Sequence, residues 1–253
     1  MSQFLQKIKN LFISEEKKFT TLLLNTLELE NSINIRKIIS DLSLEKRYVC
    51  LSKLLSSKRI KGVFLPEKSF FFAIPDDQLS DIRNKLKQQG VLEISSLKEL
   101  WSVDDKTLTP LLYHLERGLI GGNKFYTINY LQKSIISNLS TTDEYALDEF
   151  TKKTNVETEL LLPLVNELIE EKQINGVIKN DTTYLSFETF ERVVSDFIES
   201  KLDEDILELS FEEISLELEI STKDIERFMV NYVEKNLGNL VVYPLEKKIM
   251  FKE

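Results

Sequence analysis

Two residue types that carry much of protein chemistry are almost missing from this sequence. Among 253 residues there is one cysteine, Cys50, and one histidine, His114. A single cysteine excludes an internal disulfide and any multi-cysteine zinc site. With one histidine and no companion cluster, a shared metal has no ligand set, and a cysteine nucleophile has one candidate base in the whole chain. No cofactor, no metal and no catalytic residue is therefore expected. Cys50 lies among Tyr48, Val49, Leu51 and Leu54 and reads as a buried helix residue. His114 reads as a packing or surface residue of a helix. Seven glycines and five prolines are too few for long linkers, or for an all-β chain with many tight turns. No apolar run reaches the roughly 18 residues that a membrane helix needs. The opening segment places Phe4, Leu5, Ile8, Leu11 and Phe12 at helical spacing, unlike the unbroken apolar block of a signal peptide. An intracellular, cytoplasmic protein is expected.

What the chain does have is apolar residues and charge, 42% and 30% of the sequence, enough for packed cores under a solvated surface. The net charge of -9 is unevenly placed. Up to Lys61, 12 Lys/Arg stand against 6 Asp/Glu; beyond it, 21 stand against 36. Most of the chain would repel a polyanion, and only its first quarter could attract one.

A phrase also recurs. "KRIKGVFLPEKSFFFA" (Lys58–Ala73) and "KQINGVIKNDTTYLSF" (Lys172–Phe187) share Lys-x-Ile-x-Gly-Val, a short polar break and an aromatic run. Searching outward from it gives four copies of one order: short strand, helix, turn, helix, hairpin. They start near Ile33, Leu92, Tyr145 and Leu207. The polar breaks "PEKS", "GGNK", "KNDT" and "PLEK" predict the hairpin turns. Gly62, Gly118, Gly176 and Gly238 follow the second helices and are expected to carry the positive φ of a helix exit. In the third copy Leu160, Leu161, Leu164, Val165, Leu168 and Ile169 make a buried stripe, with Asn155 or Thr158 capping its start. Pro163 and Pro110 stand at matching places and are expected in a first turn, where a missing amide does no harm. Asp76–Gly90 and Phe187–Leu202 predict linking helices. "GLIGG" (Gly118–Gly122) lacks the spacing of a phosphate loop and reads as a hairpin. The acidic run from Ile206 reads as a strand leading into a helix, and Trp101 as a core or seam residue.

A helix pair closed by a hairpin is a winged helix. The expected fold is α+β, mostly helical: a tandem array of about four winged-helix (PCI-like) modules at 31–75, 76–130, 131–188 and 189–253, behind an N-terminal helical segment, 1–30. On these elements the stretch Cys50–Leu100 resembles the winged-helix end of the DDRGK-domain proteins, through Ile60, Gly62, Val63, Pro75 and Ile94 to Leu100. The family's signature turn is replaced by "LPEKS". The rest of the chain resembles the N-terminal half of the ligase of the ubiquitin-fold modifier (Ufm) pathway, closest from Ser137 to Ile178 and from Glu191 to Ser221. The resemblance implies a scaffold-type E3 ligase without its own catalytic cysteine, which positions a charged conjugating enzyme beside its substrate. It implies that the leading helix, through Phe4, Leu5, Ile8, Leu11 and Phe12, binds the ubiquitin-fold conjugating enzyme. Such spacing suits recognition of a helix in a groove, although the same face could pack on the first module. It implies in addition a DDRGK-like winged-helix partner that completes the first copy.

Winged helices also read nucleic acid, with the second helix in the major groove. In the first copy Lys46, Arg47, Lys53, Lys58 and Arg59 would suit phosphates. In the third copy, Glu157, Glu159, Glu167, Glu170 and Glu171 would be repelled. The alternative is thus a nucleic-acid-binding protein reading through the first module alone. A third reading is another tandem winged-helix adaptor, of the ESCRT-II, PCI or polymerase-subunit type.

Overall fold

The computed structural model describes residues 15–101, 103–203, 206, 208–236 and 240–251. Along them one element order repeats four times: helix, strand, helix, helix, hairpin. The first repeat holds α1 (Glu15–Leu27), β1 (Ser32–Asn34), a 3-10 turn (Ile35–Lys37), α2 (Leu44–Ser56), β2 (Val63–Leu65) and β3 (Phe70–Phe72). The second holds α3 (Asp76–Gln89), β4 (Val91–Glu93), α4 (Ile94–Trp101), α5 (Asp105–Leu115), β5 (Gly118–Gly121) and β6 (Lys124–Thr127). The third holds α6 (Ile128–Leu139), β7 (Glu144–Ala146), α7 (Leu147–Thr154), α8 (Thr158–Glu170), β8 (Gly176–Lys179) and β9 (Thr183–Ser186). The fourth holds α9 (Phe187–Asp203), β10 (Glu208–Ser210), α10 (Phe211–Leu218), α11 (Thr222–Asn236), β11 (Leu240–Tyr243) and β12 (Lys248–Phe251).

Among the described residues are four three-stranded sheets, each with the hairpin's second strand in the middle: β1-β3-β2, β4-β6-β5, β7-β9-β8 and β10-β12-β11. Registers agree as closely as the order does. The middle pairs are Ile33 with Phe71, Leu92 with Phe125, Tyr145 with Tyr184, and Leu209 with Ile249. All eight are buried, because alternation along a three-residue strand points its central side chain inward. One backbone bond recurs too. The amide opening each first helix or turn donates to the last carbonyl of the hairpin turn: Ile35 to Ser69, Ile94 to Asn123, Leu147 to Thr182 and Phe211 to Lys247, at 2.8–2.9 Å. Each hairpin is thereby tied back to its own helix pair.

By compactness the chain divides into two units. The first is Met1–Gly118 with Asn123–Thr127; the second is Leu119–Gly122 with Ile128–Glu253. In the first unit, α1 buries Phe19 and Leu23 in the core of the first repeat, beside Ile35, Cys50, Leu51 and Phe71. In the second unit the core joins Val177 and Leu185 of the third repeat to Phe190, Phe211, Ile214 and Phe228 of the fourth. There Asn180 donates its amide to Glu219 O at 2.8 Å, and Lys179 makes an isolated antiparallel bridge with Ile220.

Several local expectations need correction. In the repeated phrase the residues that turn left-handed straight after the helix are Lys58 (φ 56) and Lys172 (φ 59); Gly62 has the expected positive φ, whereas Gly118 and Gly176 do not. Gly118 and Gly176 are glycine because a Cβ would stand 2.3 Å from Tyr126 O and 2.2 Å from Leu185 O across the hairpin. Gly62 faces the same clash, 1.8 Å from Phe72 O, and also has φ +145. Gly238 lies outside the described residues. Pro110 and Pro163 do share a position, but it is the sixth of the helix, past the first turn. Helix α8 is capped by Glu157 without a side-chain bond, while Asn155 closes α7 in the left-handed conformation (φ 54). Its buried stripe is Leu161, Leu164, Val165 and Leu168; Leu160 is exposed. Helices Asp76–Gln89 and Phe187–Asp203 stand as expected, and α6 is a third element of the same kind.

Candidate functional site

The first repeat departs from the other three at its first helix, and its chemistry follows from that. Where the others carry eight-residue helices, residues 35–37 make only a 3-10 turn. The chain from Ile35 to Leu42 then exposes carbonyls that no helix satisfies. Arg47 takes them. Its Nε donates to Leu42 O (2.9 Å), Nη1 to Ile38 O (2.8 Å) and Ile35 O (3.2 Å), and Nη2 to Ser40 O (2.7 Å). Arg47 is the fourth residue of α2, and the fourth residues of α5, α8 and α11 are Leu108, Leu161 and Ile225, all buried. A half-buried guanidinium thus takes the helix position that is buried and apolar in the other three repeats, and braces the loop that stands in for a helix. A second cluster locks the adjacent hairpin. Buried Ser69 receives Arg36 Nε at 2.8 Å and shares a short hydrogen bond with the Tyr48 hydroxyl.

This settles where the predicted basic residues go. Lys46 and Lys53 lie on the outward face of α2, two turns apart, and Lys58 and Arg59 are exposed in the turn after it. Arg47 is engaged within the fold. Lys53 Nζ lies 4.0 Å from the Glu16 carboxylate, with both side chains largely in solvent, so this pair contributes little. The other predicted set, Phe4, Leu5, Ile8, Leu11 and Phe12, lies outside the described residues.

Cys50 is 5% exposed in α2. Burial pushes its thiol up from the ordinary value; nearby Glu16 adds to this and Lys53 opposes it. A thiolate is the nucleophilic form, so this environment suppresses the reactive species as well as access to it. His114 is exposed on α5. Among the described residues no group of three or more His, Cys, Asp and Glu could hold a metal ion. Trp101 is buried in the first unit, its indole N–H donating to Gln78 at 3.0 Å and its carbonyl accepting from Asn31 at 3.3 Å, so it seals a seam between repeats. In the second unit a cavity of about 380 Å³ lies between Phe187, Phe190 and Phe228 on one side and Lys172, Asp224 and Arg227 on the other. Asp224 there accepts from the Ser221 hydroxyl at 2.6 Å, an arrangement that caps α11. The second helix of the third repeat presents Glu157, Glu159 and Glu167 to solvent, which repels phosphate.

The fold defines a class: an α+β, mostly helical protein with four small three-stranded sheets among its described residues. Within that class the family is shown by sequence. The family described as E3 UFM1-protein ligase 1 matches over residues 74–223, more than half of the chain, and the chain belongs to it. No curated protein matches the chain. Among the described residues, no helix is long and apolar enough to cross a membrane.

Proposed function

We propose that this chain acts in ufmylation as a non-catalytic scaffold, holding a conjugating enzyme charged with a ubiquitin-fold modifier beside the substrate protein. The four repeats are read as winged helices with boundaries near 75, 130 and 188. Family membership supports the E3-like role. The observation that carries the scaffold reading is the state of Cys50. A ligase that relays the modifier through itself needs an accessible thiolate, and the only thiol of this chain is buried with its pKa raised. Transfer would then pass directly from the conjugating enzyme to a lysine, with the ligase contributing position.

The conjugating enzyme is assigned to the opening segment, through Phe4, Leu5, Ile8, Leu11 and Phe12. A DDRGK-like partner is assigned to the first repeat. That repeat supplies its own three strands, so the partner is not needed to close the sheet; it would dock beside the short 3-10 turn. The test is a pull-down and a discharge assay with a cognate charged conjugating enzyme. Alanine at Phe4, Ile8 and Phe12 together is expected to abolish binding and to remove the acceleration of discharge, with helical content unchanged. Full binding by the triple variant would refute the assignment.

The nucleic-acid reading retains Lys46, Lys53, Lys58 and Arg59 on one exposed side of the first repeat. Arg47 is withdrawn from it, and the acidic α8 confines any such binding to the first module. A mobility-shift titration at low salt decides this: no shift at micromolar protein removes it.

A further inference from the structure

We infer that the cavity at the junction of the third and fourth repeats receives an extended peptide of a partner protein. The peptide adds a strand to the open end of β8 and presents a large apolar side chain next to a carboxylate. At the junction of the first and second repeats, β2 packs against α5, the second long helix of the next repeat. Its counterpart α11 makes no comparable contact with β8 among the described residues. Instead Glu219 and Ile220, just ahead of α11, reach β8 at its far end only. There Asn180 N–H donates to Glu219 O at 2.8 Å and Lys179 bridges to Ile220. The cavity of about 380 Å³ lies beside the other end, at Asn175, Gly176 and Val177.

Strand geometry aims backbone groups into this opening. β8 is an edge strand, with β9 on its inner side. Asn175 O accepts from Phe187 N–H on that inner side at 3.0 Å, whereas Asn180 N–H points outward to Glu219. Successive residues of an antiparallel strand turn their donors and acceptors to alternate sides, so those of Gly176 and Ile178 point outward as well. Gly176 lines the cavity. An outward N–H and C=O at a sheet edge are the template on which an extended peptide pairs.

The lining supplies the side-chain contacts. Phe190 and Phe228 are buried with ring centroids 5.3 Å apart, and Phe187 stands 6.0 Å from Phe190. An aromatic floor of this size takes one large apolar side chain. The rim selects charge. Asp224 already accepts from Ser221 at 2.6 Å, Glu171 accepts from Gln173 at 2.7 Å, and Glu170 lies 3.8 Å from Lys223. No hydrogen bond or ion pair engages the Lys172 amine among the described residues. Its backbone is nonetheless fixed, left-handed (φ 59) with the amide donating to Ile169 O at 3.0 Å, so the cation is positioned before binding. Arg227, which has an interaction of its own, adds a second positive charge to the lining. A carboxylate beside the anchoring side chain gives Lys172 its partner.

The test is fluorescence anisotropy, with the whole chain titrated into a dye-labelled hexapeptide amide, Thr-Val-Phe-Asp-Val-Thr, and into the reverse sequence, which offers the other strand direction. One of the two is expected to bind saturably in the micromolar range. Asp→Asn in the peptide and Lys172→Glu in the chain should each weaken binding at least about tenfold, and together little more than either alone. Phe→Ala in the peptide should also cost about tenfold. N-methylation of the peptide's central amides, which removes strand donors and spares the side chains, should abolish binding. Lys172 is exposed, so circular dichroism should show the variant folded. No saturable binding of either peptide at high micromolar protein, or binding indifferent to Lys172→Glu, would overturn the inference. So would full binding of the N-methylated peptide, or competition by phenylpropionate as strong as by the peptide itself, since either describes a small-molecule site in place of an added strand.

Discussion

The first and third repeats share strand order, register and hairpin tie, yet they fill the equivalent helix position with opposite chemistry, half-buried Arg47 in one and buried Leu161 in the other. In the third, Leu161 is 1% exposed and packs under the eight-residue helix α7. In the first, that helix has shrunk to a 3-10 turn, and Arg47 occupies the place of Leu161. Removing a helix from a helix pair leaves unsatisfied carbonyls and a void, and a buried apolar residue answers neither need. A planar guanidinium answers both, because its several donors reach carbonyls that face it from different directions while its stem fills space. The frame therefore tolerates loss of a helix when one residue changes character with it.

Exchanging the two solutions should fail in both directions. Leu161→Arg places a charge in a filled apolar core with no carbonyls to receive it. We expect a loss on the order of 4 kcal/mol or more, seen as collapse of the second unit's unfolding transition in urea. Arg47→Leu leaves carbonyls of the first repeat without donors and should cost about 3 kcal/mol in the first unit's transition, with the second unit untouched. The hairpin glycines set the next rung. In Gly176→Ala the new Cβ meets Leu185 O across the ribbon, so the two strands must part, at a cost of about 2 kcal/mol. Gly176 has no positive φ, so without this clash alanine would be nearly neutral.

The smallest expected effect concerns the fourth repeat. There Ser210 and Glu213 form a capping box on α10, with Glu213 accepting the Ser210 amide at 2.8 Å. The backbone bond to Ser210, then the side-chain bond to Ser210, pull the Glu213 carboxyl below its ordinary value of 4.5. Because the folded pKa is depressed, the contribution is complete above the unfolded value and fades as pH falls through the folded one. Ser210→Ala should cost about 1 kcal/mol at neutral pH and progressively less in acid. Paired urea titrations down the pH scale measure it.

Much of this was legible in the sequence, and particular residues explain where legibility stopped. Hairpin turns, linking helices and the buried Cys50 announce themselves because burial and turn chemistry act on neighbours in sequence. The helices α1 and α6 were harder to place, since their role is to pack on a strand and helix pair that come later in the chain. The glycines are hard to read for a related reason: Gly62, Gly118 and Gly176 are constrained by carbonyls of the opposite strand, eight to ten residues on. Arg47 was the deepest case. Among Lys46, Lys53, Lys58 and Arg59 it looks like one more surface cation, and nothing local reveals that four carbonyls upstream lack donors. A clue was available: aligning the copies puts Arg47 against Leu108, Leu161 and Ile225.

On the proposed scaffold reading, the chain holds its partners without ever carrying the modifier. The most direct measurement is single-turnover discharge of a charged, cognate conjugating enzyme in the presence of the Cys50→Ala chain. We predict the wild-type rate and no reductant-sensitive adduct between modifier and ligase in either protein. A rate that falls to the unassisted level in Cys50→Ala, with a thioester trapped on the wild-type chain, would contradict it.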